Sequence, residues 1–233
     1  MSINDKAILI RNYNLWSHLS DDEYEELNIV HNFLEVAKDD YVYFEAFHHN
    51  KLYFIKEGYI KIGYISDEGI EVIREIIQKG EIFGQITLEK DNLNGEFAKA
   101  YKSEVSLCAF TIEDFQKLLR KKPELALNFS KQIGDKLRTL ENRLVNLLNK
   151  DVKTRLLHFL WQFLRVHHLE NQAGQCRLPN YLTHEDIAHL IGSSRQTVTT
   201  LLNEFASEGL IICTRQEIFY PDVKKLQNRI TVA

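Results

Sequence analysis

The chain has 233 residues, a formal net charge of −4 and an isoelectric point near 6.2. This balance argues against a histone-like or polybasic nucleic-acid binder. The content of 44% hydrophobic and 27% charged residues is typical of a globular protein, and the length fits one large or two modest domains. We expect no membrane span, since no apolar run reaches about 18 residues, and no signal peptide. Three widely spaced cysteines predict reduced thiols and a cytoplasmic location.

Charge is distributed unevenly along the chain. Residues 1–120 carry 13 basic and 22 acidic side chains, residues 121–150 carry 7 and 3, and residues 151–233 carry 9 and 8. The acidic excess therefore belongs to the first half, and the remainder is mildly basic.

The first 112 residues change from a helical to a strand pattern. Residues 1–30 predict short helices, one of them capped by Ser20. Stretches rich in Tyr, Ile, Val and Phe follow, and turns are expected at Glu57-Gly58, at 66–69 and at Lys79-Gly80. Many short strands at this spacing predict an antiparallel sandwich, roll or barrel. The predicted strands are 41–44, 51–56, 59–65, 70–77 and 105–110.

A short helix is predicted at 112–120, and a long one at 124–149 with Pro123 in its first turn. The long helix carries apolar residues at the 4-3-4-3 spacing of a heptad repeat. Packing onto its own domain is one interpretation, but the polar remainder of the helix favours a coiled coil between two chains. The predicted dimer interface is Ile133, Leu137, Leu140, Leu144 and Leu147.

Residues 182–211 form the strongest local motif. Thr183 can cap a helix with Asp186 in a capping box, Gly192 can make a tight turn, and Ser193 can cap a second helix. The second helix has one apolar stripe, formed by Val198, Leu201, Leu202 and Phe205. These features predict a helix-turn-helix. The main alternative is an ordinary helical hairpin with a solvated polar face.

The polar face of the second helix suits contact with DNA bases. Arg can bond guanine, Gln can bond adenine, and Thr offers a hydroxyl or a methyl group. The predicted base contacts are Arg195, Gln196, Thr199 and Thr200. Two short strands, 210–214 and 217–220, predict a β-wing. The predicted phosphate contacts are Thr183, His184, Ser193, Ser194, Thr197 and Arg215, the last at the wing tip.

The chain resembles the Crp/Fnr family of bacterial transcription regulators over nearly its whole length. Residues 51–84 are similar to the family's β-roll, the long helix to its central dimerisation helix, and residues 151–156 to its hinge. Residues 193–202, SSRQTVTTLL, match the recognition helix, and this match is the most specific.

The resemblance implies an α+β fold with three parts. An N-terminal antiparallel, jelly-roll-like β-roll over residues 1–120 would be the sensor or effector domain. A long central dimerisation helix would occupy 121–150, and a C-terminal winged helix-turn-helix 151–233. Pro179 lies in a polar stretch, 171–180, between two apolar-periodic segments of the last domain.

Four replacements relative to the family pattern concern the ligand pocket, two of them at Leu140 and Glu141, which correspond to polar residues of the central helix that contact the adenine. Members that bind cyclic AMP hold the ribose with a Gly-Glu pair and the phosphate with an Arg-Ser pair. Here Gln85 replaces the Glu, and Glu96-Phe97 replaces Arg-Ser, so a carboxylate would repel the phosphate. We predict a degenerate pocket that does not bind cyclic nucleotides, at Gly84, Gln85, Ile86, Glu96, Phe97, Leu140 and Glu141.

Other sensing chemistries find little support in the sequence. The family's iron–sulfur branch uses clustered N-terminal cysteines, whereas the first cysteine here is Cys108 and three cannot supply four thiolates. Haem binding is an open alternative that would use histidine ligands, but we expect His48-His49 at the surface and His167-His168 at a helix end. We predict no metal and no cofactor.

The resulting hypothesis is a homodimer that binds a palindromic operator with half-sites about 34–36 Å apart. Either the dimer is competent without a ligand, or it responds to a ligand other than cyclic AMP. The expected partners are double-stranded DNA, a second copy and, by resemblance, RNA polymerase, with an unknown small-molecule effector. No catalytic constellation is present, so an enzyme is not expected. The alternatives are a cyclic-nucleotide or other small-molecule sensor with an atypical pocket, and a winged helix that binds another protein.

The family's usual recognition helix has Arg-Glu and a second Arg four residues after the Glu. Here Gln196 replaces the Glu and Thr200 replaces the second Arg, while Arg195 remains. We therefore expect a guanine contact from Arg195 and altered preferences at the neighbouring bases.

Overall fold

The computed structural model describes residues 32–44, 50–88, 96–167 and 174–232. The helices expected in 1–30, the Ser20 cap, His48, His49 and His168 lie outside these ranges, as does the side chain of His167. The chain divides into two compact units, with the boundary between Leu137 and Arg138. None of the described helices combines the length and hydropathy needed to cross a bilayer.

In the described part of the first unit, six strands form an antiparallel sheet. They are β1 (Asn32–Val36), β2 (Tyr41–Tyr43), β3 (Lys51–Ile65), β4 (Glu71–Gln78), β5 (Ile82–Gly84) and β6 (Glu96–Thr111). The path through the sheet is β1-β6-β3-β4, with β2 paired to β6 and β5 paired to β3, so the two longest strands are central. The predicted antiparallel β-domain is therefore confirmed.

Strand β3 corrects one sequence prediction. A turn was expected at Glu57-Gly58, but the chain continues through it as a single strand of 15 residues. The pairing register with β6 shifts on both sides of Glu57, and Gly58 has φ +93°. A Cβ at Gly58 would lie 2.8 Å from the Glu104 carbonyl oxygen, so glycine serves a β-bulge here rather than a turn.

Among the described residues, two apolar clusters lie in the core of this unit. One lies between the sheet and the two helices that follow β6, and it includes Leu52, Phe110, Phe115 and Phe129. The other includes Ile60, Phe83 and Leu107. The helices are α1 (Ile112–Lys121), which Thr111 caps through the Asp114 N–H, and α2 (Pro123–Asn149). Helix α2 begins at Pro123, as predicted, and its residues from Arg138 onward belong to the second unit.

The described part of the second unit contains helices and a small sheet. The elements after α2 are α3 (Val152–His167), β7 (Cys176–Pro179), α4 (His184–Ile191), α5 (Arg195–Ser207), β8 (Ile212–Cys213), β9 (Glu217–Tyr220) and α6 (Val223–Val232).

The three strands of this sheet have the order β7-β9-β8. Sequence reasoning missed β7, because it lies in a polar stretch and only Cys176 and Leu178 face the interior. Pro179, its last residue, is tolerated since β7 is an edge strand.

Candidate nucleic-acid interface

Helix α4 starts with the predicted capping box. The Thr183 hydroxyl oxygen accepts from the Asp186 backbone N–H at 3.1 Å, and the Thr183 N–H donates to Asp186 Oδ2 at 2.8 Å. The Thr183 hydroxyl also donates to Asp186 Oδ2 at 2.7 Å, which leaves the buried carboxylate well satisfied. The hydroxyl proton of Thr183 is therefore used inside the protein.

Gly192 forms the turn between α4 and α5. Its φ of +66° is left-handed, and a Cβ would lie 2.9 Å from Leu147 Cδ2. The same turn is held by Arg155, whose guanidinium donates to the carbonyl oxygens of Ile191, Gly192 and Lys150 at 2.9, 2.9 and 3.0 Å. Sequence reasoning placed Arg155 in a hinge by resemblance and missed these contacts. Arg155 thus fixes where α4 ends and α5 begins.

The cap of α5 is Ser194, and the prediction that Ser193 caps it was wrong by one residue. Ser194 Oγ accepts from the Thr197 backbone N–H at 3.1 Å and lies 2.8 Å from Thr197 Oγ1. The backbone N–H of Ser193 is bonded to the Ala188 carbonyl oxygen at 2.9 Å, which places Ser193 in the turn. The extended backbone of Ser194, with φ −91°, is the conformation that a cap requires.

Helix α5 has one buried and one open face. Val198, Leu202 and Phe205 are almost fully buried and hold the helix onto its unit. On the opposite face Arg195, Gln196 and Thr200 are exposed, and Thr199 is half-buried. The predicted base-contacting residues therefore lie together on the first two turns of one helix, the part that enters a major groove in helix-turn-helix proteins.

Two threonines of this face bond back onto their own helix. Thr199 Oγ1 donates to the Arg195 carbonyl oxygen at 2.9 Å, and Thr200 Oγ1 donates to that of Gln196 at 3.1 Å. Thr199 Oγ1 also lies 2.8 Å from Nδ1 of His184, the first residue of α4. Burial, with the nearby charge of Arg195, lowers the pKa of His184 from its ordinary value of 6.5.

The wing is present where it was predicted. Strands β8 and β9 pair antiparallel, and Arg215 is exposed in the turn between them. Asn180 supports this turn, since its Nδ2 donates to the Thr214 carbonyl oxygen at 2.7 Å.

The predicted pocket positions of the first unit surround β5 and the start of β6. Gly84 ends β5 with φ +89°, and a Cβ there would lie 2.5 Å from the Lys51 carbonyl oxygen. Gln85 is 1% exposed, and its Nε2 donates to Thr87 Oγ1 at 2.9 Å. Ile86 packs against the apolar cluster beneath α1 and α2.

Glu96 begins β6 as a buried carboxylate bonded to Arg74 and Tyr43. Arg74 Nη1 lies 2.5 Å from Glu96 Oε2, and the Tyr43 hydroxyl donates to Glu96 Oε1 at 2.6 Å. Burial raises the pKa of Tyr43, and the adjacent Glu96 charge raises it further, so Tyr43 remains a donor. Sequence reasoning identified Glu96 but missed Tyr43 and Arg74, which β2 and β4 bring to it. Phe97 is fully buried beside Glu96.

The other two predicted pocket positions, Leu140 and Glu141, are exposed on the part of α2 that belongs to the second unit. The predicted dimer residues divide as well. Ile133 is half-buried against the first unit's own cluster, whereas Leu137, Leu140, Leu144 and Leu147 are 56, 44, 57 and 38% exposed. These four exposed leucines are called the leucine seam below.

Two family models match the chain. The model of the cyclic nucleotide-binding domain matches residues 33–122, and that of the Crp-like helix-turn-helix domain matches residues 154–229. The chain belongs to the Crp/Fnr family of transcription regulators. Its DNA-binding domain is the helix-turn-helix described above.

Curated Crp/Fnr relatives resemble this member over most of their length. The global nitrogen regulator of Synechocystis sp. is 26% identical over 78% of this chain and 80% of its own. The CRP-like cAMP-activated global transcriptional regulator of Mycobacterium tuberculosis is 27% identical over 77% and 80%. These relatives are transcription regulators rather than enzymes.

Solved structures of Crp/Fnr-type regulators share the fold. A CooA mutant from Carboxydothermus hydrogenoformans has a TM-score of 0.75 and 25% identity, covering 96% of this chain and 95% of its own. FixK2 from Bradyrhizobium japonicum has a TM-score of 0.71 and 20% identity, covering 85% and 96%. The α+β architecture predicted from the sequence is therefore confirmed.

Proposed function

We propose that this Crp/Fnr regulator acts in the cytoplasm as a homodimer that binds a palindromic operator without needing a cyclic nucleotide. Transcriptional control then implies RNA polymerase as a further partner. The observation that carries the ligand part of the proposal is the buried Glu96 carboxylate, paired with Arg74 and Tyr43.

The leucine seam supports the dimer. Four leucines at heptad spacing are exposed along α2, and large exposed apolar stripes of this kind mark association surfaces. A parallel pairing of two α2 helices would bury them as the a and d positions of a short coiled coil. Two copies would also present two α5 helices related by two-fold symmetry, as a palindromic operator with half-sites about 34–36 Å apart requires.

The face of α5 supports direct base contacts. Arg195 can bond guanine O6 and N7, and Gln196 can bond adenine N6 and N7. The phosphate contacts remain a proposal for His184, Ser193, Ser194, Thr197 and Arg215. For Thr183 the proposal is weaker, since both its hydroxyl and its N–H already donate to Asp186.

The surroundings of Glu96 support the absence of cyclic-nucleotide control. A phosphate at this position would meet a carboxylate whose countercharge, Arg74, is already paired with it. Placing a second anion beside a buried carboxylate is costly in a low-dielectric interior. Gln85 adds to this, because an amide lacks the charge of the Glu that holds the ribose in cyclic-AMP-binding members.

One observation favours a second candidate, a sensor of an uncharged small molecule. Gln85 Oε1 is buried and has no hydrogen-bond partner among the residues that the structure describes. A neutral ligand with an N–H or O–H donor would satisfy it without confronting Glu96.

The test uses the purified full-length chain and DNA fragments selected from a random pool. We expect a two-fold symmetric consensus, affinity that falls steeply with salt through counterion release, and no change on adding cyclic AMP or cyclic GMP. Selection with Gln196→Glu should shift the consensus beside the Arg195 contact. Operator binding that requires either nucleotide would overturn the ligand part of the proposal, and the absence of any consensus would overturn the operator part.

A further inference from the structure

Thr199 is the residue of the α5 face whose hydroxyl is most completely engaged. Its Oγ1 is 2.9 Å from the Arg195 carbonyl oxygen and 2.8 Å from His184 Nδ1. A hydroxyl carries a single proton. Whichever of the two partners accepts that proton, it stays inside the protein, so Thr199 has no proton left to donate to a base or a phosphate.

His184 reaches Thr199 because of the way in which helices α4 and α5 are joined. His184 is the first residue of α4, and the capping box of Thr183 and Asp186 fixes the start of that helix. The turn held by Gly192 and Arg155 brings this start to within hydrogen-bond distance of the second turn of α5. When the Thr199 hydroxyl donates to the Arg195 carbonyl, a neutral His184 donates from Nδ1 to Thr199, and the two bonds together set the rotamer of Thr199.

Thr200, the next residue, differs in one respect. Its hydroxyl donates to the Gln196 carbonyl oxygen, but among the described residues it has no second partner like His184. Its oxygen can therefore still accept from the amino group of adenine or cytosine. For Thr199, with its oxygen held from two sides, the methyl group is the main feature left for a base.

We propose that His184 positions Thr199 so that its methyl group, rather than its hydroxyl, contacts the 5-methyl group of a thymine in each operator half-site. Apolar contact from a threonine methyl is an established way to distinguish thymine in the major groove. The inference rests on the proposed operator binding and adds to it a chemical preference at one base pair.

The test replaces each thymine of the selected half-site, one at a time, by deoxyuridine, which differs only in lacking the 5-methyl group. Burial of one methyl group predicts about a fourfold loss of affinity at one position. Thr199→Ser, which keeps the hydroxyl and removes the methyl group, should abolish this difference between thymine and uracil. Thr199→Val, which keeps a methyl group and removes the hydroxyl, should retain it, because valine in a helix holds a single χ1 rotamer without a hydrogen bond, whereas threonine divides between two.

His184 is tested by the ratio of the affinity for the thymine half-site to the affinity for the deoxyuridine half-site. His184→Ala should reduce the ratio because Thr199 is released, while His184→Asn should restore it because the amide nitrogen of Asn can occupy the place of Nδ1. Thr154→Ser in helix α3 is the matched control for the Thr→Ser change and should leave the ratio unaltered. Thermal unfolding of each variant checks that the unit still folds.

The outcomes separate this inference from the proposed function. An operator that is bound tightly, but with no thymine sensitive to deoxyuridine, overturns the thymine contact and leaves operator binding standing. A ratio that survives Thr199→Ser and disappears in Thr199→Val means that the hydroxyl makes the contact, which also overturns it. If no operator is selected at all, both proposals fail.

Discussion

Glu96 in the first unit and Arg195 in the second are both charged residues at predicted binding positions, but their surroundings differ. Glu96 is 7% exposed and is bonded to Arg74 and Tyr43. Arg195 stands exposed, and no described residue forms an ion pair with it. The Glu96 site is closed, because its polar groups already bond one another and a charged ligand would add little binding free energy. The Arg195 site is open, because its donors can form new hydrogen bonds with a partner.

The largest expected effect is on operator affinity, and it comes from dissociating the proposed dimer, because operator binding through Arg195 uses both copies. Leu144→Glu places like charges opposite each other in the leucine seam, so the dimer should dissociate. Operator affinity should then fall about 10²–10⁴-fold, since the second half-site no longer binds intramolecularly. Sedimentation measures the dimer, and fluorescence anisotropy measures the affinity.

The control for this substitution is Leu127→Glu, which changes a leucine of the same helix that is 64% exposed but lies outside the seam. It should leave both measurements unchanged. A Leu144→Glu protein that remains dimeric would show that the seam is not the interface.

The closed site of the first unit is tested by Tyr43→Phe. Losing a buried hydrogen bond to a carboxylate should lower the free energy of unfolding by about 1.5–3 kcal/mol, while operator affinity stays the same. Urea unfolding measures the change. Tyr64→Phe is the matched control, because Tyr64 is 48% exposed and should contribute little. Equal effects from the two substitutions would mean that the hydrogen bond from Tyr43 to Glu96 adds nothing to the free energy of unfolding.

A smaller effect distinguishes the two serines at the start of α5. Ser194→Ala should lower the free energy of unfolding by about 1 kcal/mol, since the Thr197 N–H loses its cap. Ser193→Ala, one residue away, should change it far less. Thermal unfolding of the two variants compares them directly, and a larger loss from Ser193→Ala would contradict the capping geometry.

The smallest effect is the pH dependence of the second unit. Burial lowers the pKa of both His158 and His184 from 6.5, with Lys150 and Arg195 adding to the shifts. The unfolded chain therefore binds protons at a higher pH than the folded chain does. The stability from these residues is full above about pH 6.5 and is lost as the pH falls through their folded pKa values.

Thermal unfolding between about pH 7.5 and pH 5.5, at constant ionic strength, measures this loss. The double variant His158→Gln, His184→Gln should show a flatter pH profile. An unchanged profile would assign the dependence to other groups.

Local patterns predicted the helix-turn-helix closely and the β-sheet less closely. Caps, a turn glycine and an apolar stripe act within a few residues of one another, so the start of α4, the Gly192 turn and the α5 face could all be predicted. Strand limits depend on pairing between distant segments. The continuation of β3 through Gly58 and the strand β7 before Pro179 were therefore missed, as was the choice between two adjacent serines as a cap.

The sequence alone determined the family, through resemblance, and the residues of the α5 face, because periodicity and helix signals are local properties. Only the tertiary structure decided which partners these residues meet. Tyr43 and Arg74 reach Glu96 from positions 53 and 22 residues earlier in the chain, and His184 reaches Thr199 from the preceding helix. Contacts across such separations arise from strand pairing and helix packing, which no local pattern specifies.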